Sequence, residues 1–410
     1  MFRIKTMNKI SPLGLEIFPK DRYEIGSDVS NPDAILVRSA DLHGAELPDS
    51  VLAIARAGAG VNNIPIGKCS DRGVVVFNTP GGNANAVKEL AIASLLLASR
   101  NIVGGINWAT SIVGEGSRVP ELVEKEKSKF DGPELRGKTL GVLGLGAIGV
   151  MIANDALAMG MNVVGFDPFV TIDSAWNLSR SVVRAESLDS LLSKADYLTL
   201  HVPLSDATKG LLNAEKFKLM KDGARIVNLS RGALVNDADV VQALNSGKLS
   251  AYVTDFPNAE LLSCKNAICV PHLGASTPEA EDNCAIMASR QLMDFLETGA
   301  ILNSVNFPRC RLEQRAPHRL LVASRAAPDM VARITELLAS ASVVDLASHN
   351  CGDYAYSVVD TEREIPGDVL GRLGQADGII RLRRIGENEK SQITFLGKLK
   401  GLFSSGKEKK

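Results

Sequence analysis

Three stretches of this 410-residue chain place reactive residue types in the local pattern their chemistry needs. The first is Gly144-Leu145-Gly146-Ala147-Ile148-Gly149, which follows an apolar run and opens a helical one. Gly144 permits a tight turn, Gly146 lets a pyrophosphate approach the backbone, and Gly149 lets helix and strand pack closely. The helix start, with Ala147 and Ile148, offers free N–H groups and a partial positive charge to phosphates. Asp167 lies about 20 residues further on, where a carboxylate accepts from the adenosine ribose and repels a 2′-phosphate. The pattern therefore calls for NAD rather than NADP. The second stretch is Asn228-Leu229-Ser230-Arg231-Gly232, just past an apolar run. A guanidinium there can grip a carboxylate with two parallel hydrogen bonds, or simply pair with a loop acid. The third is Val270-Pro271-His272-Leu273-Gly274, where an imidazole can shuttle a proton.

His272 is one of only five histidines. His43 and His349 lie in polar surroundings and read as surface residues, and His318 sits in a basic junction. His201 ends a strand candidate in His-Val-Pro-Leu, beside the expected dinucleotide. It reads as structural before it reads as a proton carrier.

Such residues need a sheet to hold them. Apolar runs at 139–143, 162–166, 197–201, 225–229, 252–254 and 267–270 alternate with helical stretches such as 187–195 and 237–246. That alternation predicts a parallel sheet with helices on both faces, and ligands of such sheets bind outside the carboxyl ends of the strands. Runs at 34–37, 52–55 and 74–77 repeat the theme on a smaller scale. Long apolar helices are expected over 86–100 and 278–299, flanking the central block. The chain would then leave its first domain, build a second and return. Arg309, Arg311, Arg315 and Arg319 mark a polar linker. Beyond it, strand and helix patterns at 319–325, 328–341, 354–360, 366–375 and 378–385 describe a unit large enough to fold alone. Residues 387–410 are rich in Gly, Ser and Lys and read as a flexible basic tail. Within them Phe395, Leu396, Leu399, Leu402 and Phe403 recur at helical spacing. They suit a helix packed on its own protein or, second, one lying on a membrane surface.

Composition excludes whole classes of function. Apolar residues make up 45% and charged residues 23% of the chain, which rules out disorder throughout. The 46 basic and 47 acidic side chains leave a net charge of −1, so no general attraction to nucleic acid or anionic membrane follows. No apolar run is long enough to span a bilayer, and none at the N-terminus resembles a secretory signal. Six scattered cysteines without CxxC spacing argue against a zinc site or disulfide framework and suit a reducing cytoplasm.

With these motifs in hand, the chain resembles the D-isomer-specific 2-hydroxyacid dehydrogenases. The likeness is carried by Arg38-Ser39, AlaGlyAlaGlyValAsnAsn at 57–63, AsnThrProGlyGlyAsn at 78–83 and LysGluLeu at 88–90. It continues through the glycine motif, HisValProLeu at 201–204, SerArgGlyAlaLeuVal at 230–235 and ProHisLeuGlyAlaSerThr at 271–277. The resemblance implies an α/β chain with two Rossmann-like doubly wound domains. One is a discontinuous substrate domain (1–85 and 275–307); the other is an inserted NAD domain (86–274). Residues 310–386 are similar to an α+β ACT-type regulatory domain. A cleft closing through the two long helices is also implied, as is a homodimer or homotetramer.

By the same resemblance, Arg231 binds the substrate carboxylate and His272 is the general base. A phosphate end would meet Arg38, Ser39 and Asn83 with backbone donors from Ala59, Gly60 and Val61. Asp255 matches an acid near the nicotinamide ribose. His201, Val202, Pro203 and Thr208 match positions lining the cofactor. The expected reaction is NAD-dependent oxidation of 3-phospho-D-glycerate to 3-phosphohydroxypyruvate, the entry to serine synthesis. The alternatives are a dehydrogenase for another 2-hydroxy acid, such as 2-hydroxyglutarate, and an NAD-binding pseudoenzyme that senses or scaffolds.

Two segments depart from the family pattern. The family sets a glutamate shortly after Phe-Pro to orient the histidine. Here Asp255-Phe256-Pro257-Asn258-Ala259-Glu260 puts Ala259 at that place on one count and Glu260 on the other. Glu260 is the expected substitute. Related regulatory domains hold an amino acid with an Asn before the Pro and a Gly in the following helix. Here Ala326, Ala327 and Ala332 stand in that region, so an effector role and a structural or dimerising role are equally open.

Overall fold

The computed structural model describes residues 1–386 and the backbone of 394–396. Contacts divide the chain into two units, Asn83–Ala280 and a second built from Met1–Gly82 with everything from Glu281 onward.

The second unit starts with a five-stranded parallel sheet. Its strands are β1 (Phe2–Met7), β2 (Tyr23–Gly26), β3 (Ala34–Val37), β4 (Ala53–Arg56) and β5 (Val75–Phe77), in the order β2-β1-β3-β4-β5. The order reverses between β1 and β3, and the crevice outside the carboxyl ends at such a reversal is where open α/β sheets bind ligands. Asn8 follows β1 and Arg38 follows β3 at that point.

The Asn83–Ala280 unit holds seven parallel strands: β6 (Thr139–Leu143), β7 (Asn162–Phe166), β8 (Val183–Arg184), β9 (Tyr197–Leu200), β10 (Ala224–Asn228), β11 (Leu249–Thr254) and β12 (Ala267–Cys269). Their order is β12-β11-β10-β9-β6-β7-β8, with the reversal between β6 and β9. Two apolar clusters bury the sheet from opposite faces. That explains why its central strands read as unbroken apolar runs rather than alternating ones.

After the helix Pro278–Thr298 the chain forms an antiparallel sheet from β13 (His318–Arg325), β14 (Val343–Cys351), β15 (Tyr354–Thr361), β16 (Ile379–Ile385) and β17 (Thr394–Leu396), ordered β14-β15-β13-β16-β17. Leu320, Val322, Val359 and Leu382 face the helices Met330–Leu337 and Gly367–Gln375. Leu321, Ala323, Tyr356 and Val358 face the other way, into one cluster with Leu52, Phe295, Leu296 and Phe307. Strands β13, β15 and β16 are therefore buried on both faces, and their second cover is the first part of the same unit.

Arginines complete that packing. Arg383 donates to the carbonyls of Phe295 and Leu296, Arg319 to that of Thr298 (3.0 Å) and the Tyr356 hydroxyl to that of Gly299 (2.9 Å). The carbonyls that end a helix lack intrahelical partners and carry its negative pole, so cationic donors suit them. Arg381 donates to the carbonyls of Val51 and Asp49. Arg319 also forms a two-point ion pair with Asp360 (2.7 and 2.9 Å) in which both side chains are buried.

Two expectations are corrected here. Arg319 is no linker residue, since it lies in β13 with its charge sealed by an acid 41 positions away. Phe395 and Leu396 lie on an edge strand antiparallel to β16, not on a helix. The rest of 387–410, with Leu399, Leu402 and Phe403, lies outside the described residues.

Candidate active site

Gly144 follows β6 with φ +93°, and a Cβ there would stand 2.6 Å from the carbonyl oxygen of His201 at the end of β9. A Cβ on Gly149 would strike the carbonyl oxygen of Gly144 at 2.0 Å. At Gly146, by contrast, a Cβ would meet nothing. The motif is thus closed where chain packs on chain and open at its tip, where the helix Ala147–Ala158 begins without a side-chain cap. Asp167 reaches back to this loop: its Oδ2 accepts from the Leu145 N–H and its Oδ1 from the Phe169 N–H, both at 2.8 Å. Each oxygen keeps a lone pair for a sugar hydroxyl. An open anion cradle with a tethered carboxylate fits the adenosine diphosphate half of NAD.

Hydrogen bonds tie the far side of this reversal. The His201 N–H donates to Leu143 (2.7 Å), and its ring bonds Thr199 Oγ1 (2.8 Å). Burial pushes the imidazole down to about 3, so it stays neutral near pH 7. The Thr208 hydroxyl donates to the Pro203 carbonyl (2.7 Å) and accepts from the Ser205 N–H (2.8 Å), closing the loop after β9. Ser230 Oγ donates to the Val202 carbonyl at 2.7 Å, which ties that loop to the one after β10.

The loops after β10, β11 and β12 bring the proposed chemistry together. Buried Asn228 donates to the Arg231 carbonyl (3.0 Å) and to the Tyr252 hydroxyl (3.2 Å), fixing the backbone from which the guanidinium projects. The His272 N–H donates to the Asp255 carbonyl (3.0 Å), and its ring packs on Phe256 with centroids 4.9 Å apart. His272 has φ +40°, a region costly for a residue with a Cβ and often found at functional sites. Asp255 is 1% exposed. Its Oδ2 accepts from the Gly274 N–H (3.2 Å), while its Oδ1 is buried without a partner. Burial raises its pKa, and the Gly274 N–H and the charges of His272 and Arg231 pull it back.

Glu260 does not join this group. It lies in the first turn of the short helix Ala259–Leu262 and lines an open groove of about 580 Å³ with Asp237, Lys209 and Ala259. Its charge helps raise the pKa of Asp237, after burial, and no hydrogen bond joins it to His272 among the described residues. The carboxylate facing His272 and Arg231 is Asp255.

Substrate candidates in the other unit gather at its own strand reversal. Asn8 Oδ1 accepts from the backbone N–H of Ser39 (3.2 Å) and Ala40 (2.5 Å), which shapes the turn carrying Arg38. Arg38 Nη2 pairs with Glu281 Oε1 at 2.5 Å. The N–H groups of Ala59, Gly60 and Val61 bond no other described residue. Asn83 belongs to the Asn83–Ala280 unit, where its Oδ1 is buried without a partner.

Known proteins are similar to this chain in sequence and fold. Residues 92–274 match the NAD binding domain of the D-isomer specific 2-hydroxyacid dehydrogenases. A Schizosaccharomyces pombe relative is 33% identical over 352 residues, covering 79% of this chain and 71% of its own. The chain belongs to the D-isomer specific 2-hydroxyacid dehydrogenase family. The D-3-phosphoglycerate dehydrogenase of Archaeoglobus fulgidus is 37% identical over 308 residues, 72% of this chain; the chain spans 56% of that relative's length. The NAD⁺-bound 3-phosphoglycerate dehydrogenase of Entamoeba histolytica superposes with a TM-score of 0.57 at 25% identity, over 74% of this chain and 98% of that one. The family's NAD-binding domain thus coincides with the unit holding the glycine cradle.

Three polar residues at these sites escaped sequence reasoning. Arg56 ends β4 and donates to the Arg38 carbonyl at 3.1 Å; its signal was its place just before the 57–63 motif. Asn8 and Glu281 had none, because each matters only through what the reversal between β1 and β3 brings near.

Proposed function

We propose that this family member oxidises 3-phospho-D-glycerate to 3-phosphohydroxypyruvate with NAD. The observation that carries the reading is the convergence of Arg231, Asp255 and His272 at the carboxyl ends of adjacent strands in the unit with the glycine cradle. Gly144, Gly146, Ala147, Ile148 and Gly149 would seat the pyrophosphate, Asp167 the adenosine ribose, and Asp255 the nicotinamide end. Val202, Pro203 and Thr208 would line the cofactor, which when bound would supply the hydride acceptor for C2. Arg231 holds the substrate carboxylate with its planar fork and so fixes which face of C2 is presented. His272 takes the hydroxyl proton, with the Asp255 carboxylate beside it. Arg38, Ser39, Asn83 and the N–H groups of Ala59, Gly60 and Val61 would receive the phosphate.

A dehydrogenase for an unphosphorylated 2-hydroxy acid is the second reading, favoured by Glu281 already occupying Arg38. For 318–385 we favour a structural role over effector binding, because β13, β15 and β16 are covered on both faces and Ala326 offers only backbone. A homo-oligomer is supported by the apolar helix Ile102–Ser111, which buries no residue in the single chain. Six free thiols suit a cytoplasmic setting.

Arg231→Lys tests the anchor. A point ammonium cannot reproduce the paired contact, and losing one charge-assisted bond costs about 1.5–3 kcal/mol. Efficiency on phosphohydroxypyruvate should fall roughly tenfold to more than a hundredfold. An unchanged value would remove Arg231 from the site.

A further inference from the structure

Glu281 stands in the first turn of the helix Pro278–Thr298, and its Oε1 meets Nη2 of Arg38 at 2.5 Å. Both side chains are about two-fifths exposed, at 42% and 39%, so the pair is solvated and can open. A second guanidinium belongs to the same cluster. Arg56 donates to the Arg38 carbonyl, and the charges of both arginines reach the Cys284 thiol on the same helix and lower its pKa against the rise that burial causes. The neighbouring acid, Asp282, is engaged elsewhere, accepting from Ser11 Oγ at 2.5 Å. Glu281 is therefore the one carboxylate paired with Arg38 among the described residues. The start of the helix favours its negative charge.

We propose that Glu281 determines how strongly the Arg38 end of the site takes an anionic substrate tail: it occupies the guanidinium until a phosphate displaces it, and closes on Arg38 again when the product leaves. This rests on the reading of Arg38 as the phosphate anchor. A phosphate brings nearly two charges and three acceptor oxygens, so it wins the exchange against one carboxylate. A neutral tail leaves the pair undisturbed. Glu281 thereby tempers affinity for phosphorylated substrate and product alike while leaving the reacting end of the site untouched.

The test compares wild type with Glu281→Gln on phosphohydroxypyruvate and on hydroxypyruvate, which has the same reacting end and an uncharged tail. The variant should lower KM for phosphohydroxypyruvate about three- to tenfold, the range set by one solvated charge acting on a dianion. KM for hydroxypyruvate should not move, and the gain should shrink in high salt. With Arg38→Gln in the background, Glu281→Gln should change KM by less than about twofold. An unchanged KM for phosphohydroxypyruvate, or an equal fall for both substrates, overturns the role of Glu281 alone. A wild type that reduces hydroxypyruvate but not phosphohydroxypyruvate overturns the phosphate reading, and the proposal with it.

Discussion

Asp167 tethers the glycine loop through the Leu145 N–H, and its remaining lone pairs are proposed to receive the adenosine ribose. Asp167→Ala should weaken NADH binding by tenfold or more, since hydrogen bonds to a charged group are worth about 1.5–3 kcal/mol. It should also narrow the preference over NADPH, because the repelling charge is gone. Fluorescence titration with both nucleotides measures this, and a wild type binding NADPH as tightly as NADH would refute it. Asp255 and Glu260 give a paired experiment. Asp255→Asn should cut turnover, because His272 loses the carboxylate beside it. Glu260→Gln should leave turnover in place. The reverse result would restore Glu260 as the partner of the histidine. The glycine motif, Asp167, Arg231 and His272 could be picked out as candidates because each is a local pattern of residue type, spacing and strand end. The place of Glu260 could not, because Pro257 and the Asn258 cap turn the helix Ala259–Leu262 so that Glu260 lies near Asp237.

Among the elements, the runs that read clearly were those buried on both faces, such as β6, β9 and β10. β1 and β2 escaped because Phe-Arg-Ile-Lys-Thr-Met and Tyr-Glu-Ile-Gly mix polar and apolar residues too evenly over too few positions. β14 escaped for a related reason: it is the sheet's outer strand and none of its residues is buried. Arg319 misled for the opposite reason, since its character comes from Asp360 in a strand no local pattern joins to it. That pair allows a sharp expectation. Arg319→Met leaves Asp360 sealed with one backbone donor, the Arg315 N–H at 3.1 Å, and strips the Thr298 carbonyl of its partner. Breaking a buried pair by removing one member costs about 3–5 kcal/mol. Urea unfolding should show a loss of this size, and Arg319→Met with Asp360→Leu should recover much of it. A single variant as stable as wild type would mean that the clamp on the helix end contributes nothing.

At the scale of the molecule, each unit places its candidate residues at the carboxyl edge of a parallel sheet. The doubly wound class followed from alternating strand and helix patterns. The covering of the C-terminal sheet did not, because it depends on Arg381, Arg383 and Tyr356 meeting carbonyls about 60 to 330 positions away. We propose that these residues form a working dehydrogenase for a phosphorylated 2-hydroxy acid, and steady-state oxidation of NADH by the 410-residue protein with phosphohydroxypyruvate is the decisive assay. Wild type should turn over, and His272→Asn should lose activity by about 10²–10⁴-fold, the usual worth of a general acid–base group, with NADH affinity intact. Nucleotide binding without turnover of phosphohydroxypyruvate would contradict the account.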